Sequence, residues 1–97
     1  MKPEDVSRVL GAISQPTRYE IMQILGKDAR QGGSGVAAGE ISSRLQIQPA
    51  TLSFHLKDMT LKGILVQRRE GRNLIYSANL PTLISALEFV VEDVCGG

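Results

Sequence analysis

The chain is poor in the residues that most chemistry needs. Among 97 residues there is one cysteine, one histidine, no tryptophan, two tyrosines and two phenylalanines. A lone Cys95 forms no internal disulfide, which agrees with a reducing compartment. A lone His55 leaves Ser42, Ser43 and Ser53 without a histidine–aspartate relay, because it follows Ser53 by two residues on the same helical stretch. Glycines 32, 33 and 35 do not lead into the Lys-Ser/Thr of a phosphate loop. No catalytic constellation remains, so the chain is expected to be a non-enzyme. No apolar run is long enough to span a bilayer and no export signal precedes the first helix, so a cytoplasmic protein with no membrane partner is the expectation.

The chain also lacks a strong net charge, at +1. The distribution matters more than the sum. Residues 1–43 carry five basic and five acidic side chains. Residues 44–72 carry Arg44, Lys57, Lys62, Arg68, Arg69 and Arg72 against Asp58 and Glu70. Residues 80–97 carry Glu88, Glu92 and Asp93 with no cation. Positive charge is therefore concentrated in one segment, as a polyanion-binding surface requires.

What is present is helical punctuation. Hydrophobic residues make up 42% of the chain, and its length fits one domain, 1–97, with a modest core. Pro3, Glu4 and Asp5 suit a first helical turn, and Val6, Val9, Leu10 and Ile13 recur at helical spacing, predicting a helix over 3–13. A second helix opens at Pro16 and ends near Gly26, with Ile21, Ile24 and Leu25 inward. Residues 27–35, KDARQGGSG, read as a flexible loop. Ala38, Ile41 and Leu45 share one face of a third short helix over 37–45.

Residues 46–76 are the most informative part. Three residues, Gln46-Ile47-Gln48, separate the third helix from Pro49, which sits where a first helical residue belongs. Leu52, Leu56 and Met59 make one face of a fourth helix apolar, and Gly63 ends it. Two β-prone runs, Ile64–Val66 and Leu74–Tyr76, flank Glu70-Gly71-Arg72-Asn73, predicting a hairpin. Two short helices joined by a tight turn and followed by a basic hairpin make a winged helix-turn-helix. The fold class expected is α+β, mostly helical, with five helices and a two-stranded β-hairpin wing. In that arrangement Gln48, Ala50, Thr51, Ser53, Phe54 and Lys57 lie at a DNA major groove, while Arg68, Arg69 and Arg72 meet phosphates or the minor groove. On a helical wheel Phe54 points about 160° from the apolar centre and His55 about 60° from it. His55 is therefore a candidate for packing, for a phosphate contact or, less well supported by neighbours, for a metal. The alternative function is a winged-helix module that grips another protein.

The fifth helix starts after Asn79, a good N-cap, with Pro81 in its first turn. Leu80, Leu83, Ile84, Leu87, Val90, Val91 and Val94 form a stripe wide enough for two partners. Together with the first helix it predicts a homodimer, with Val6, Val9, Leu10, Leu83, Leu87, Val90, Val91 and Val94 at the interface. The competing reading closes both helices into one monomeric core.

Three stretches, AISQPTRYEIMQIL, GEISSRL and PATLSFHLKDMTLKGILVQRREGRNLIYS, resemble the ArsR/SmtB family of bacterial repressors over nearly the whole chain. The resemblance implies a homodimer that blocks a double-stranded DNA operator and leaves it when an effector binds. The family's effectors include metals and metalloids. Where some members carry a cysteine pair in helix three, this chain has Ala37 to Ser43 without cysteine. Where others use Asp, His and Glu on the last helix, it has Glu88, Glu92 and Asp93 without histidine. The ending Glu92-Asp93-Val94-Cys95 is similar to the arsenic-responsive subgroup with a C-terminal cysteine site, Val94 standing where a second cysteine belongs. Soft metalloids want several thiolates, so Cys95 is the single candidate ligand. Arsenite or antimonite is the implied effector, and a repressor of the same family that uses no metal is the alternative.

Overall fold

A computed structural model describes residues 1–97. Five helices and three strands follow in the order α1 (Pro3–Gly11), α2 (Pro16–Arg30), β1 (Val36–Ala37), α3 (Ala38–Leu45), α4 (Pro49–Leu61), β2 (Leu65–Glu70), β3 (Asn73–Ala78) and α5 (Leu80–Cys95). The expected class is what is found, with one addition. The sheet has three antiparallel strands in the order β1-β3-β2, not two. Val36 pairs with Tyr76 and Ala37 with Ile75. Two residues are too short a run to show alternation, so β1 has no signature in the sequence.

Helix α2 runs four residues past Gly26. A helical glycine costs only about 1 kcal/mol against alanine, and Lys27, Asp28, Ala29 and Arg30 continue the ladder. What ends the segment is Asp28. Its main-chain carbonyl accepts from Gly33 N–H at 2.8 Å and its carboxylate from Gly35 N–H at 2.9 Å, folding the loop back on the helix. Gly35 then sits at φ +120°, where an added Cβ would lie 2.7 Å from Ile75 Cγ2. The expected loop over 27–35 therefore contracts to the few residues before β1.

Turn chemistry sets the rest of the frame. Helix α4 ends in a Schellman arrangement: Ile64 N–H donates to Met59 O and Gly63 N–H to Thr60 O, with Gly63 at φ +82°. The pair it joins, Met59 and Ile64, is fully buried. Between α3 and α4, Gln46 takes φ +54°, the one non-glycine residue at positive φ. Ser42 Oγ donates to Ile47 O at 2.6 Å and Ile47 N–H returns to Ser42 O, closing that turn.

The core gathers Val9, Ile21, Leu25, Ile41, Leu52, Leu56, Met59 and Ile64, all at most 1% exposed. The apolar face read for α4 is therefore its inner face. Helix α1 packs on α5 of its own chain. This splits the long α5 stripe. Ala86 is buried, and Leu83 and Val90 are half-buried on the inner side, whereas Ile84, Leu87, Val91 and Val94 stand exposed at i, i+3, i+7, i+10. Burial within the single chain sorts the residues expected at the interface. Val9 has no exposed surface and belongs to the monomer core, and Leu10 and Leu83 pack against that core. Ile84, absent from that expectation, joins the outer row. No helix is long and apolar enough to cross a membrane.

Candidate nucleic-acid interface

Pro49 at the first turn and the left-handed Gln46 before it aim α4 away from α3. With Leu52, Leu56 and Met59 buried, the opposite face must be exposed. Gln48, Ala50, Thr51, Ser53, Phe54 and Lys57 are all exposed, and Phe54 at 68% is far more open than an apolar ring ordinarily is. The side chains read as groove-facing are thus all open to solvent, five along α4 and Gln48 at its N-cap.

The wing sorts its arginines by parity. Residues directly opposite on an antiparallel pair share a face. Arg69 is opposite Leu74, and Gln67 is opposite Tyr76. Leu74, Tyr76 and Gln67 line an open groove of about 350 Å³ whose other wall is Ser53, Lys57, Thr60 and Leu61 of α4. Arg69 therefore projects from the sheet face that looks onto α4. Arg68, opposite Ile75, projects from the other face. There it donates to Glu70 Oε2 at 2.7 Å and to Ser34 O. Arg72 sits in the two-residue tip, after Gly71 at φ +62°, the first-position glycine that a II′ hairpin turn requires.

Ion pairing thins the basic segment. Arg44 pairs with Glu40, Arg68 with Glu70, and Lys62 with Asp58. Lys57, Arg69 and Arg72 take part in no ion pair. Three unpaired cations, one on α4 and two on the wing, are what this surface offers to phosphates. The sequence could count charges but could not tell which were already neutralised.

His55 is half-buried beside this face. Its Nδ1 accepts from Arg18 Nε at 3.0 Å, and Arg18 also donates to Asp58 Oδ2. An accepting Nδ1 places the imidazole proton on Nε2 in the neutral ring. Burial first, and the Arg18 charge second, push its pKa below the ordinary 6.5. Lys62 and Arg18 together hold the Asp58 carboxyl below its ordinary 3.8. The cluster ties α2 to the inner edge of α4, and it occupies His55 as a positioning residue. Gln67 and Tyr76 were missed as groove residues. Gln67 Nε2 donates to Tyr76 Oη at 2.9 Å, and only strand pairing brings the two together.

At the other end of the molecule, no three histidine, cysteine, aspartate or glutamate side chains gather into a metal-holding group. Cys95 is free and exposed on the last turn of α5.

An exposed helix facing a basic hairpin, on a short helix–turn–helix frame, defines a winged helix-turn-helix protein. The helix-turn-helix domain family matches residues 13–68, and the chain belongs to that family. Among its relatives is the transcriptional repressor SdpR of Bacillus subtilis (strain 168), 26% identical over 92 residues, covering 95% of this chain and 96% of that protein. Another is the cadmium resistance transcriptional regulatory protein CadC homolog of Staphylococcus aureus, 29% identical over 75 residues, covering 77% of this chain and 58% of that one. In structure the chain is similar to an ArsR-like transcriptional regulator from Rhodococcus sp. RHA1, with TM-score 0.79 and 22% identity over 96% of this chain and 82% of that one. It is also similar to the homodimeric winged helix-turn-helix DNA-binding domain of Mb0332 from Mycobacterium bovis, with TM-score 0.71 and 26% identity over 93% and 80%.

Proposed function

We propose that this chain is a dimeric, sequence-specific DNA-binding repressor of the ArsR type that leaves its operator when an effector binds. Its fold and its relatives are those of transcriptional regulators rather than enzymes. The observation that carries the reading is the shared groove. It sets Ser53 and Lys57 of α4 against a wing face that also bears Arg69. An α-helix with its polar and aromatic face exposed fits a major groove about 12 Å wide. A flanking hairpin with two unpaired arginines fits the adjacent backbone or minor groove. Gln48, Ala50, Thr51, Ser53 and Phe54 would read bases, and Lys57, Arg69 and Arg72 would hold phosphates.

The outer row of α5, Ile84, Leu87, Val91 and Val94, supports the dimer, because four exposed aliphatic side chains in register on one helix are a seam wanting a partner. A two-fold dimer would read a near-palindrome, with half-sites about 34–36 Å apart or a multiple of it. An arsenite-type or thiol-reactive signal would have to act through Cys95, the one thiol. A Cys95→Ser variant that represses but ignores arsenite and oxidants would establish that route.

The test is a mobility-shift titration with the gene's own upstream region, with and without arsenite, antimonite, zinc and oxidant. Saturable, sequence-specific binding is the expected result. Replacing thymine by deoxyuridine removes one methyl per base, so a Phe54–methyl contact would show as roughly a fourfold loss per site. Binding that does not discriminate the upstream DNA from random DNA would overturn the proposal.

A further inference from the structure

A second concavity shares no lining residue with the groove or with the outer row of α5. Its volume is about 220 Å³. One wall is a single stripe of α2, with Tyr19, Met22, Gly26 and Arg30 at i, i+3, i+7, i+11; the other is Ile13 with Leu80 and Leu83 from the first turn of α5. We infer that this cavity, opened by Gly26 and bounded by Arg30, is a binding site for a small apolar carboxylate.

Three observations carry the inference. The first is Gly26. It sits inside a 15-residue helix, does not take positive φ, and a Cβ added to it would meet nothing within 4 Å. Neither a turn nor a close neighbour requires glycine there. What the missing side chain does is leave the wall of the cavity open. The second is charge. Arg30 is the only charged residue lining the cavity, and it takes part in no ion pair. A planar carboxylate suits its guanidinium fork. The third is size and lining. Apart from the Gln23 amide, the walls between Tyr19 and Arg30 are apolar, and the volume is below the roughly 300–1,000 Å³ of pockets for drug-sized ligands. A short-chain or single-ring acid fits, with its body on Met22, Leu80 and Leu83.

The position gives such a ligand a mechanical lever, and this part rests on the repressor reading above. Leu80 follows Asn79, which is pinned to the end of α4. Asn79 N–H donates to Ile64 O at 2.8 Å and its Nδ2 to Gly63 O at 2.9 Å, while its Oδ1 caps Thr82 N–H. A ligand wedged against Leu80 and Leu83 moves the first turn of α5, and with it the junction between the reading helix and the wing.

Octanoate and benzoate are the probes, with octanol and benzamide as uncharged controls, titrated into the full chain and followed by amide chemical shifts. The expected result is saturable shifts at Tyr19, Gly26 and Leu80. Arg30→Gln should weaken octanoate about tenfold, the loss of one charge-assisted hydrogen bond, and leave octanol unchanged. Gly26→Leu should fill the cavity and abolish both. Arg30→Gln alters only an exposed side chain, so it remains a test even if Gly26→Leu disturbs α2. Shifts that do not saturate, shifts confined to Leu87 and Val91, or equal octanoate binding by Arg30→Gln would overturn the site. Octanoate should also change the affinity for upstream DNA in the unmodified chain and not in Gly26→Leu. Carboxylate binding without that change would overturn the lever and keep the site, whereas no specific DNA binding at all would instead be the failure of the repressor reading.

Discussion

Arg18 Nε donates to His55 Nδ1 across 3.0 Å, and this bond is compatible only with a ring that carries no proton on that nitrogen. Arg18 lies on α2 and His55 on α4, so the bond also ties the reading helix to the body.

That relationship predicts an acid dependence. Burial and the Arg18 charge lower the His55 pKa from 6.5, with the Asp58 charge opposing them. The unfolded chain then binds the proton more readily. Stability from this group is full above about pH 6.5 and is lost as pH falls below it toward the folded-state pKa. Asp58, also lowered, loses its contribution separately, below its ordinary 3.8. Urea unfolding between pH 5 and 7.5 should show stability rising with pH in the unmodified chain. His55→Gln keeps an acceptor and should flatten that rise. Identical slopes for both would remove His55 as the cause.

The wing arginines should separate in salt titrations. Arg69→Ala with Arg72→Ala should weaken DNA binding across all sequences and shallow the dependence on log salt by about 0.9 for each phosphate no longer neutralised. Arg68→Ala should change the slope little, since Arg68 is engaged by Glu70 and Ser34 on the other sheet face. If Arg68→Ala has the larger effect, the assignment of faces is wrong.

Assembly should depend on the outer row of α5 alone. Leu87→Glu with Val91→Glu places charge on side chains about half exposed in the single chain. Sedimentation should then find a folded monomer with little loss of thermal stability, and specific DNA binding should vanish. The unmodified chain should sediment as a dimer at micromolar concentration, and a monomer there would refute the seam.

Two backbone positions should respond in opposite directions. Gln46→Gly relieves a left-handed non-glycine residue and should stabilise by about 0.5–1 kcal/mol after the entropy cost of glycine. Gly35→Ala combines φ +120° with a Cβ driven into Ile75 and Ser77. It should destabilise by roughly 2–4 kcal/mol. Thermal melts of both variants check the signs.

The helices were legible in the residues because their signals are local. Pro16, Pro49 and Asn79 mark starts, Gly63 marks a stop, and Leu52, Leu56 and Met59 define an inner face by spacing alone. The placement of Thr51, Ser53 and Lys57 on the outer face follows from the same spacing, so most of the candidate DNA surface could be read without coordinates. Other features were decided by packing between segments far apart in sequence. Strand β1 exists because Val36 and Ala37 meet Tyr76 and Ile75, and the loop after α2 folds back on the helix because the Asp28 carboxylate holds Gly35. Which arginines are unpaired depends on strand register and on Ser34. Which α5 residues face outward depends on how α5 packs against α1 and the core, which leaves Ala86 buried and Val90 half-buried but Leu87 and Val91 exposed. Periodicity reports that a helix has an apolar side; only packing decides how much of that side its own chain covers.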